Sequence, residues 1–228
     1  MTDSKHLSRR PIRSYVIRGR LTNFQRKALA RYSADFVIPF TDQALPLQDH
    51  FPHNAPLTIE IGFGMGQSLL QMAQQHPQQN FLGIEVYPPG VACLLIELAA
   101  QKLDNLKIVQ HDATEVFTKG LPPDSVAKVL ILFPDPWPKK RHHKRRIVQT
   151  EFMSLVTSRL QAGGHIHLAT DWEKYAEHML EVMETLPGLK NTNGSGNYWP
   201  TPDRPPTKFE QRGQKLGHEI WDLLYKKV

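Results

Sequence analysis

Short apolar runs alternate with helical patterns through the middle of the chain, and this alternation limits the possible folds more than any other feature. Apolar runs of strand length are found at residues 57–61, 80–86, 106–110, 126–133 and 165–169. Apolar side chains with helical spacing lie after a glycine loop that ends at residue 66, and at residues 90–103, 152–160 and 175–186. Strands and helices in this order form right-handed crossover units around a parallel sheet. We therefore predict an α/β fold with a mostly parallel, doubly wound sheet.

One carboxylate lies at or just after the end of each predicted strand. These acids are Glu60, Glu85, Asp112, Asp135 and Asp171. The carboxyl ends of parallel strands share one edge of the sheet, and ligands bind in the crevice outside that edge. One acid in such a place is ordinary loop chemistry, but five in succession predict an acid-lined site.

The first predicted strand leads into a loop whose glycines are Gly62, Gly64 and Gly66. Glycine lets the backbone turn tightly from strand to helix and approach a ligand closely. Gln67 occupies the position where a dinucleotide-binding loop has its third glycine, and no Lys-Ser/Thr pair follows. A P-loop is therefore excluded, and a nicotinamide dehydrogenase is disfavoured because a hydride-transfer partner is also missing.

The acids around the glycine loop indicate the cofactor. Glu60 precedes the first glycine, where a carboxylate attracts a cationic group and disfavours a pyrophosphate. Glu85 lies 23 residues after Gly62, where an acid commonly accepts hydrogen bonds from the hydroxyls of an adenosine ribose. Asp112 can accept a hydrogen bond from the adenine amine. A positive centre, a ribose and an adenine without phosphate describe S-adenosylmethionine.

Residues 133–146 read Phe-Pro-Asp-Pro-Trp-Pro-Lys-Lys-Arg-His-His-Lys-Arg-Arg and combine a site for a base with a site for a polyanion. A strand enters a proline-stiffened turn with Asp135 beside Trp137, and the next eight residues contain six Lys/Arg and no acid. Trp137 and Phe209 are candidate surfaces on which a base stacks. The segment predicts chemistry on a base within a nucleic acid. A non-catalytic RNA-binding module would leave the strand-end acids unexplained.

Positive charge is concentrated in two segments. Residues 1–31 contain nine Lys/Arg and one acid, and residues 139–146 contain six Lys/Arg, whereas the whole chain carries only +6. This segregation favours a polyanionic partner, with nucleic acid ahead of a membrane surface. We predict a segment 1–31 of basic arm and short helix, followed by one domain over residues 32–228; the helical pattern itself covers residues 22–34 and so crosses this boundary. The single cysteine and the lack of an eighteen-residue apolar run indicate a cytoplasmic protein that does not enter membranes.

Three motifs together carry a resemblance to a known family. They are the Glu-x-Gly-x-Gly-x-Gly loop at residues 60–66, the Pro-Asp-Pro-Trp-Pro-Lys-Lys turn at 134–140, and the Thr-Lys-Phe-Glu segment at 207–210. From about residue 18 onward the chain resembles the bacterial tRNA (guanine-N7)-methyltransferases. The resemblance implies a Rossmann-like S-adenosylmethionine-dependent methyltransferase fold with an antiparallel C-terminal strand. It also implies methyl transfer to N7 of a guanine in the tRNA variable loop.

The resemblance assigns roles to residues of this chain. The cofactor-binding residues would be Glu60, Gly62, Gly64, Gly66, Glu85, Asp112 and Asp135, and Asp135 would also be catalytic. Substrate contacts would come from Lys139, Asp171, Thr207, Lys208, Phe209 and Glu210. The residues against RNA would be Arg141, His142, His143, Lys144, Arg145 and Arg146. We expect tRNA as the partner, a monomer or homodimer, and no metal.

Two further expectations concern alternatives and the C-terminal part of the chain. A methyltransferase for exocyclic amines is disfavoured, because Trp137 directly follows Asp135-Pro136 where those enzymes have a second proline. Residues 191–197 are predicted as a flexible loop beside the site. Residues 209–217 are predicted as a helix or strand, and the alternation of Ile220, Asp222 and Leu224 favours an edge strand.

Overall fold

The computed structural model describes residues 21–200 and 202–228, so the arm predicted for the first ten or so residues lies outside the described part. Seven strands form one sheet in the order β3-β2-β1-β4-β5-β7-β6. The strands are β1 Leu57–Ile61, β2 Asn80–Ile84, β3 Leu106–Val109, β4 Val126–Leu132, β5 Leu160–Thr170, β6 Leu189–Asn191 and β7 Trp221–Lys227. Strands β1 to β5 are parallel to one another, which confirms the predicted α/β architecture.

Helices follow most of the strands. They are α1 Asn23–Phe36, α2 Gln67–Gln75, α3 Pro88–Gln101, α4 Ala113–Glu115, α5 Thr150–Arg159, α6 Glu173–Glu184 and α7 Lys208–Lys215. Three short segments have other helical geometries, namely the 3₁₀ helices Leu47–Asp49 and Lys140–Arg145 and the π-helical turn Val116–Gly120. None of the described helices has the length and apolar character needed to cross a membrane.

Both faces of the sheet are buried, and successive strand residues point to opposite faces. On β2, Leu82 and Ile84 belong to the apolar cluster that includes helices α5 and α6, whereas Phe81 belongs to the cluster formed with α2 and α3. This two-sided burial explains why the strands are continuous apolar runs rather than alternating ones. The carboxyl edge of the sheet is left free for a site.

The C-terminal strand is antiparallel as expected, but its predicted place at the sheet edge was wrong. β7 pairs with β5 on one side and with β6 on the other, so β6 forms the edge. β6 is only three residues long and its sequence, Leu-Lys-Asn, has no strand-like alternation. The sequence pattern therefore could not reveal it.

The start of β5 also differs from the prediction. The strand was predicted over residues 165–169, but β5 begins at Leu160 and includes Gly163 and Gly164. The pairing with β4 shifts register here. A Cβ atom on Gly164 would lie 2.9 Å from the backbone oxygen of Gln161 and 3.0 Å from that of Ala127. The glycine is therefore required by close backbone contact inside an irregular strand.

Helix α1 begins as the sequence predicts and packs on the body of the protein. Thr22 and Gln25 form a reciprocal capping box at its start. The helix lies against α3 and continues through residue 31, where the predicted boundary between arm and domain lies.

Candidate active site

The glycine loop between β1 and α2 has a backbone that other residues rarely adopt. Gly62, Gly64 and Gly66 all have positive φ, at 73°, 57° and 77°. Gly90, at the start of α3, was not singled out from the sequence. A Cβ atom there would lie 2.0 Å from the backbone oxygen of Gly64, so α3 can meet the loop only through a glycine.

A cavity of about 390 Å³ opens beside this loop at the carboxyl edge of the sheet. It brings together four of the five predicted strand-end acids, and Asp171 is the one that does not line it. Segments distant in sequence close its other side. The predicted residues that line the cavity are Glu60, Gly62, Gly64, Gly66, Glu85, Asp112, Asp135, Trp137, Arg145, Thr207, Lys208 and Phe209.

Glu60 is the most unusual group in the cavity. Its side chain is 4% exposed, and its Oε2 atom has no hydrogen-bond partner. The pKa of Glu60 is raised to about 8, mainly by burial and also by the Glu85 charge, while the nearby Arg204 charge opposes the rise. A buried carboxylate without a cationic neighbour in contact is costly. It is relieved when a positively charged ligand enters the cavity.

Glu85 is held rigidly against the glycine loop. Its Oε2 accepts a hydrogen bond from the Gly64 N–H at 2.8 Å, and its Oε1 accepts from the N–H groups of Val86 and Tyr87 at 2.7 and 3.0 Å. Burial raises the pKa of Glu85, and these three hydrogen bonds oppose the rise. A carboxylate has about four acceptor positions, so one remains for a ligand hydroxyl.

Asp112 caps the short helix α4. Its Oδ1 accepts from the N–H groups of Thr114 at 2.9 Å and Glu115 at 3.3 Å. The neighbouring His111 ring stacks on Phe40 at 4.1 Å between centroids and contacts Glu115 at 2.6 Å. The carboxylate therefore has a fixed orientation at the cavity wall, as recognition of an adenine amine requires.

These three acids fit S-adenosylmethionine. An unpartnered buried carboxylate suits the positive charge of the cofactor, the tethered Glu85 suits a ribose, and the fixed Asp112 suits an adenine edge. The positive-φ glycines bring bare backbone to the same cavity.

The turn that carries Asp135 is conformationally strained. Phe133 and Trp137, which bracket it, both have positive φ, at 53° and 44°, and such values are uncommon for large side chains. Asp135 lies at the cavity rim, where partial desolvation raises its pKa. The Arg145 guanidinium covers the Trp137 indole at 4.9 Å from the ring centre. A base that stacks on this ring would meet the arginine as well.

The basic segment after the turn forms the 3₁₀ helix Lys140–Arg145 at the cavity rim. Lys139, Arg141 and Lys144 are exposed, and His142 and His143 are half-buried. Desolvation and the positive charges of Arg145 and Arg141 lower the pKa of His142. The neighbouring cations therefore disfavour a positive charge on the His142 imidazole.

Arg146, which the resemblance places against RNA, does not belong to the exposed basic surface of the free protein. It is 3% exposed. Its Nε donates a hydrogen bond to the Pro136 carbonyl at 2.9 Å, and its guanidinium lies 4.7 Å from the ring centre of Tyr175. Arg146 thus supports the turn that carries Asp135.

The Thr207–Glu210 motif is a capping box that starts α7. The Glu210 N–H donates to Thr207 Oγ1 at 3.1 Å, and the Thr207 N–H donates to Glu210 Oε2 at 3.3 Å. Thr207, Lys208 and Phe209 face the cavity, and Phe209 is 60% exposed. Glu210 is 8% exposed and does not line the cavity, unlike a residue in direct contact with substrate.

Asp171 lies beside α7 rather than in the cavity wall. Its Oδ2 is 3.4 Å from His218 Nδ1, and a Cβ atom on Gly213 would lie 3.2 Å from the same oxygen. The acid therefore contacts the segment that follows the Thr207–Glu210 motif.

Sequence reasoning missed Arg204. Its Nε atom lies 2.9 Å from Asp222 Oδ1, and its Nη2 atom lies 2.9 Å from Asp222 Oδ2. Its Nη1 atom lies 2.5 Å from Glu210 Oε2. His167 also contacts Asp222, at 2.7 Å. Arg204 lies in a proline-rich segment that gives no local signal for burial. Within residues 21–200 and 202–228, no group of three His, Cys, Asp or Glu side chains could hold a metal ion.

Comparisons with known proteins give a consistent result. Residues 54–223 match a family described as putative methyltransferase. The chain is 50% identical to a tRNA (guanine-N(7)-)-methyltransferase of Shewanella amazonensis, over 96% of this chain and 93% of that protein. It is 49% identical to the enzyme of that name from Nitrosospira multiformis, over 98% of this chain and 97% of that protein. It is 52% identical to the enzyme of that name from Escherichia coli K12, over 96% of this chain and 92% of that protein.

Solved structures with the same fold are more distant in sequence. The 16S rRNA methyltransferase KamB superposes with a TM-score of 0.58 at 14% identity, over 80% of this chain and 91% of that one. The aminoglycoside resistance methyltransferase NpmB1 gives 0.53 at 15% identity, over 80% and 92%. At this identity the likeness supports the Rossmann-like methyltransferase fold alone.

Proposed function

The chain belongs to the tRNA (guanine-N7)-methyltransferase family, and from this premise we propose that it methylates N7 of a guanine in the variable loop of tRNA. The methyl donor of the family is S-adenosylmethionine. The observation that supports this function best is the cavity where buried acids meet a basic rim. Carboxylates suit a cationic cofactor, and the rim suits RNA phosphates.

The acids of the first three strands hold the cofactor. When bound, S-adenosylmethionine supplies a methyl group on a positively charged sulfur. The buried Glu60 carboxylate attracts the positive charge of the cofactor, Glu85 accepts from the ribose hydroxyls, and Asp112 accepts from the adenine amine. The glycine backbone at residues 62–66 allows the close approach.

Asp135 acts at the reacting base. Guanine N7 has a free lone pair and carries no proton, so no general base is needed to create the nucleophile. Positive charge develops on the purine as the methyl group arrives, and a carboxylate at the cavity rim stabilises that charge. The strained turn of residues 133–137 fixes the carboxylate before the substrate binds, which supports in-line alignment.

The rim residues deliver the guanine. Arg141, Lys144 and Lys139 are exposed beside the cavity and neutralise phosphates of the tRNA. An N7 atom engaged in RNA tertiary pairing is inaccessible, so the target base is turned out at a cost of a few kcal/mol. Phe209 and Trp137 offer aromatic surfaces for it, each worth about 1–3 kcal/mol.

The remaining assignments complete the proposal. The basic residues before position 21, which lie outside the described residues, add positive charge that suits tRNA phosphates, and the domain begins near residue 32. The protein works in the cytoplasm, where its substrate is made. It acts as a monomer or homodimer.

A labelling experiment tests the function. The protein is incubated with S-adenosylmethionine labelled in the methyl group and with two tRNA transcripts, one of which has adenine in place of the variable-loop guanine. We expect label only in the transcript that keeps the variable-loop guanine, and we expect digestion to release this label as 7-methylguanosine. Label in another nucleoside would contradict the reaction, and equal labelling of both transcripts would contradict the variable-loop position.

A further inference from the structure

We propose that Arg204 is a positioning residue for methyl transfer, because one guanidinium joins the start of α7 to the turn that carries Asp135. Arg204 itself is 7% exposed and is not part of the cavity lining. It therefore acts through other residues. The inference rests on the proposed function.

The first contact of Arg204 is with α7. Its Nη1 atom lies 2.5 Å from Glu210 Oε2, the oxygen that also accepts from the Thr207 N–H at 3.3 Å. The capping box and the ion pair thus share one carboxylate oxygen. Between Thr207 and Glu210 lie Lys208 and Phe209, which line the cavity. The position of Arg204 consequently sets the position of these two side chains.

The second contact anchors the arginine in the sheet. Nε and Nη2 form a two-pronged ion pair with Asp222 on β7, with both distances 2.9 Å. Burial raises the pKa of Asp222, but hydrogen bonds from His167 and Arg204 outweigh burial and keep that pKa below its usual value. Asp222 therefore remains a negatively charged carboxylate, and it anchors Arg204 to β7 within the sheet.

The third contact is with the catalytic turn. The guanidinium carbon lies 5.5 Å from the centre of the Phe133 ring. Phe133 begins the turn with φ of 53°, and its N–H donates to the Ala169 carbonyl at 2.8 Å. A strained large residue keeps such a backbone only when its surroundings hold it. Arg204 packs against the Phe133 ring and so helps to hold this backbone, and the same guanidinium contacts α7 through Glu210.

Only arginine can make these contacts together. Its planar fork binds a carboxylate at two points while another N–H reaches a second carboxylate and the flat face stacks on a ring. Lysine has the charge but not the fork. A network that joins the Asp135 turn to the start of α7 has its main effect on the alignment of guanine against Asp135, rather than on cofactor binding by β1 to β3.

Glu210→Gln separates the ion pair from the helix cap. A glutamine at this position still accepts from the Thr207 N–H, because capping boxes use Glu or Gln. The variant loses only the negative charge opposite Arg204. We expect kcat for tRNA methylation to fall about tenfold or more, while the cofactor Kd of the free protein changes less than twofold.

Arg204→Lys and the double variant test whether both residues act through one contact. If they do, the double variant loses about as much kcat as the worse single variant, because the interaction can be removed only once. If Glu210 bound guanine directly, the two losses would multiply.

Tyr225→Phe provides a matched control on the same strand as Asp222. The Tyr225 hydroxyl donates to Glu184 at 2.8 Å and has no contact with the cavity lining. We expect it to lower the melting temperature about as much as Glu210→Gln but to leave kcat unchanged. Arg204→Lys is compared at a temperature where the variant is folded, and Glu210→Gln gives the answer alone if the lysine variant does not fold.

The outcomes are distinguishable. Unchanged kcat in Glu210→Gln, multiplied losses in the double variant, or a kcat loss in Tyr225→Phe equal to that in Glu210→Gln would each overturn the positioning role. Wild-type protein that fails to methylate tRNA would instead refute the proposed function.

Discussion

The two walls of the cavity are built by different means. The proposed cofactor wall consists of acids at the ends of β1 to β3, where backbone N–H groups of the glycine loop, of the residues after β2 and of the start of α4 fix Glu85 and Asp112. The substrate wall consists of the turn at residues 133–137, a 3₁₀ helix and the start of α7. Two buried arginines, Arg146 and Arg204, hold its parts in place.

The difference teaches how one cavity serves two ligands of unequal size. A small cofactor needs a wall that is desolvated and complete before binding, and regular secondary structure provides it. A folded RNA must approach from outside, so the second wall has to be exposed. Buried cations beneath that wall supply the rigidity that exposed segments lack on their own.

The largest expected effect comes from Asp135, which belongs to the substrate wall. Asp135→Asn removes the negative charge that faces the developing purine cation. We expect kcat to fall about 10²–10³-fold, with cofactor Kd changed only a few-fold, measured by single-turnover methyl transfer and calorimetric titration. Asp203→Asn, an exposed acid that pairs with Lys128 at 3.6 Å, is the control and keeps full activity. A cofactor Kd that rose as much as kcat fell would move Asp135 to the cofactor wall.

Glu60→Gln tests the cofactor wall. The variant keeps the shape but not the charge that attracts the cofactor, so we expect cofactor Kd to rise about 10–100-fold, equal to about 1.4–2.8 kcal/mol. Binding to wild type should strengthen from pH 6 to pH 8 as Glu60 ionises, whereas binding to the variant should change little over this range. Equal pH dependence in both proteins would argue against this role.

The same substitution changes stability in a pH-dependent way. The pKa of Glu60 lies near 8 in the folded protein and at 4.5 as the reference value. The folded state therefore binds the extra proton, and its free energy of unfolding decreases as the pH rises from about 4.5 to 8, by up to about 1.4 kcal/mol per pH unit. Without cofactor, the melting temperature of Glu60→Gln should exceed that of wild type by a margin that grows across this window.

Substitutions in the basic rim should change the binding of tRNA and leave the binding of the cofactor unchanged. We expect Arg141→Gln with Lys144→Gln to weaken tRNA binding about tenfold and to reduce the slope of log K against log salt concentration by about 2. Lys190→Gln with Lys226→Gln removes the same charge from exposed positions at the opposite edge of the sheet. This control should leave the slope unchanged. Weaker cofactor binding in the rim variant would show that the two walls are not independent.

The smallest effect compares two capping boxes. Thr207→Val and Thr22→Val each remove a hydroxyl that accepts from a helix N–H, and each should lower the free energy of unfolding by about 1 kcal/mol. Only Thr207→Val should raise KM for tRNA, because α1 lies away from the cavity. A tRNA effect of similar size in Thr22→Val would mean that α1 also contacts the RNA.

Local pattern predicted the cofactor wall well. Strands β1 to β4 were placed within two residues at every boundary, because each is an apolar run that ends at a polar residue or a proline. The glycines and the acids Glu60, Glu85 and Asp112 followed from their spacing to these strands. Most of the contacts of Glu85 and Asp112 join residues within three positions of each other, and the sequence displays these; the bond from Gly64 to Glu85 spans a longer stretch of chain.

The substrate wall could be predicted only in part. Arg141 and Arg146 look alike within one basic run, yet the first is exposed and the second is buried beneath Pro136. Arg204, Asp222 and His167 meet only after β5 and β7 have paired. No local spacing reveals such contacts, because they are set by the order of strands in the sheet. Helix α7 and edge strand β6 were uncertain for the same reason.

The position of β7 has a consequence for biosynthesis. β7 is the last strand made among those described, yet it fills the gap between β5 and β6. Until it emerges, β5 has a free hydrogen-bonding edge, and Arg204 lacks its Asp222 anchor. A nascent chain can therefore complete its cofactor wall early, but it remains unable to align guanine until β7 is inserted.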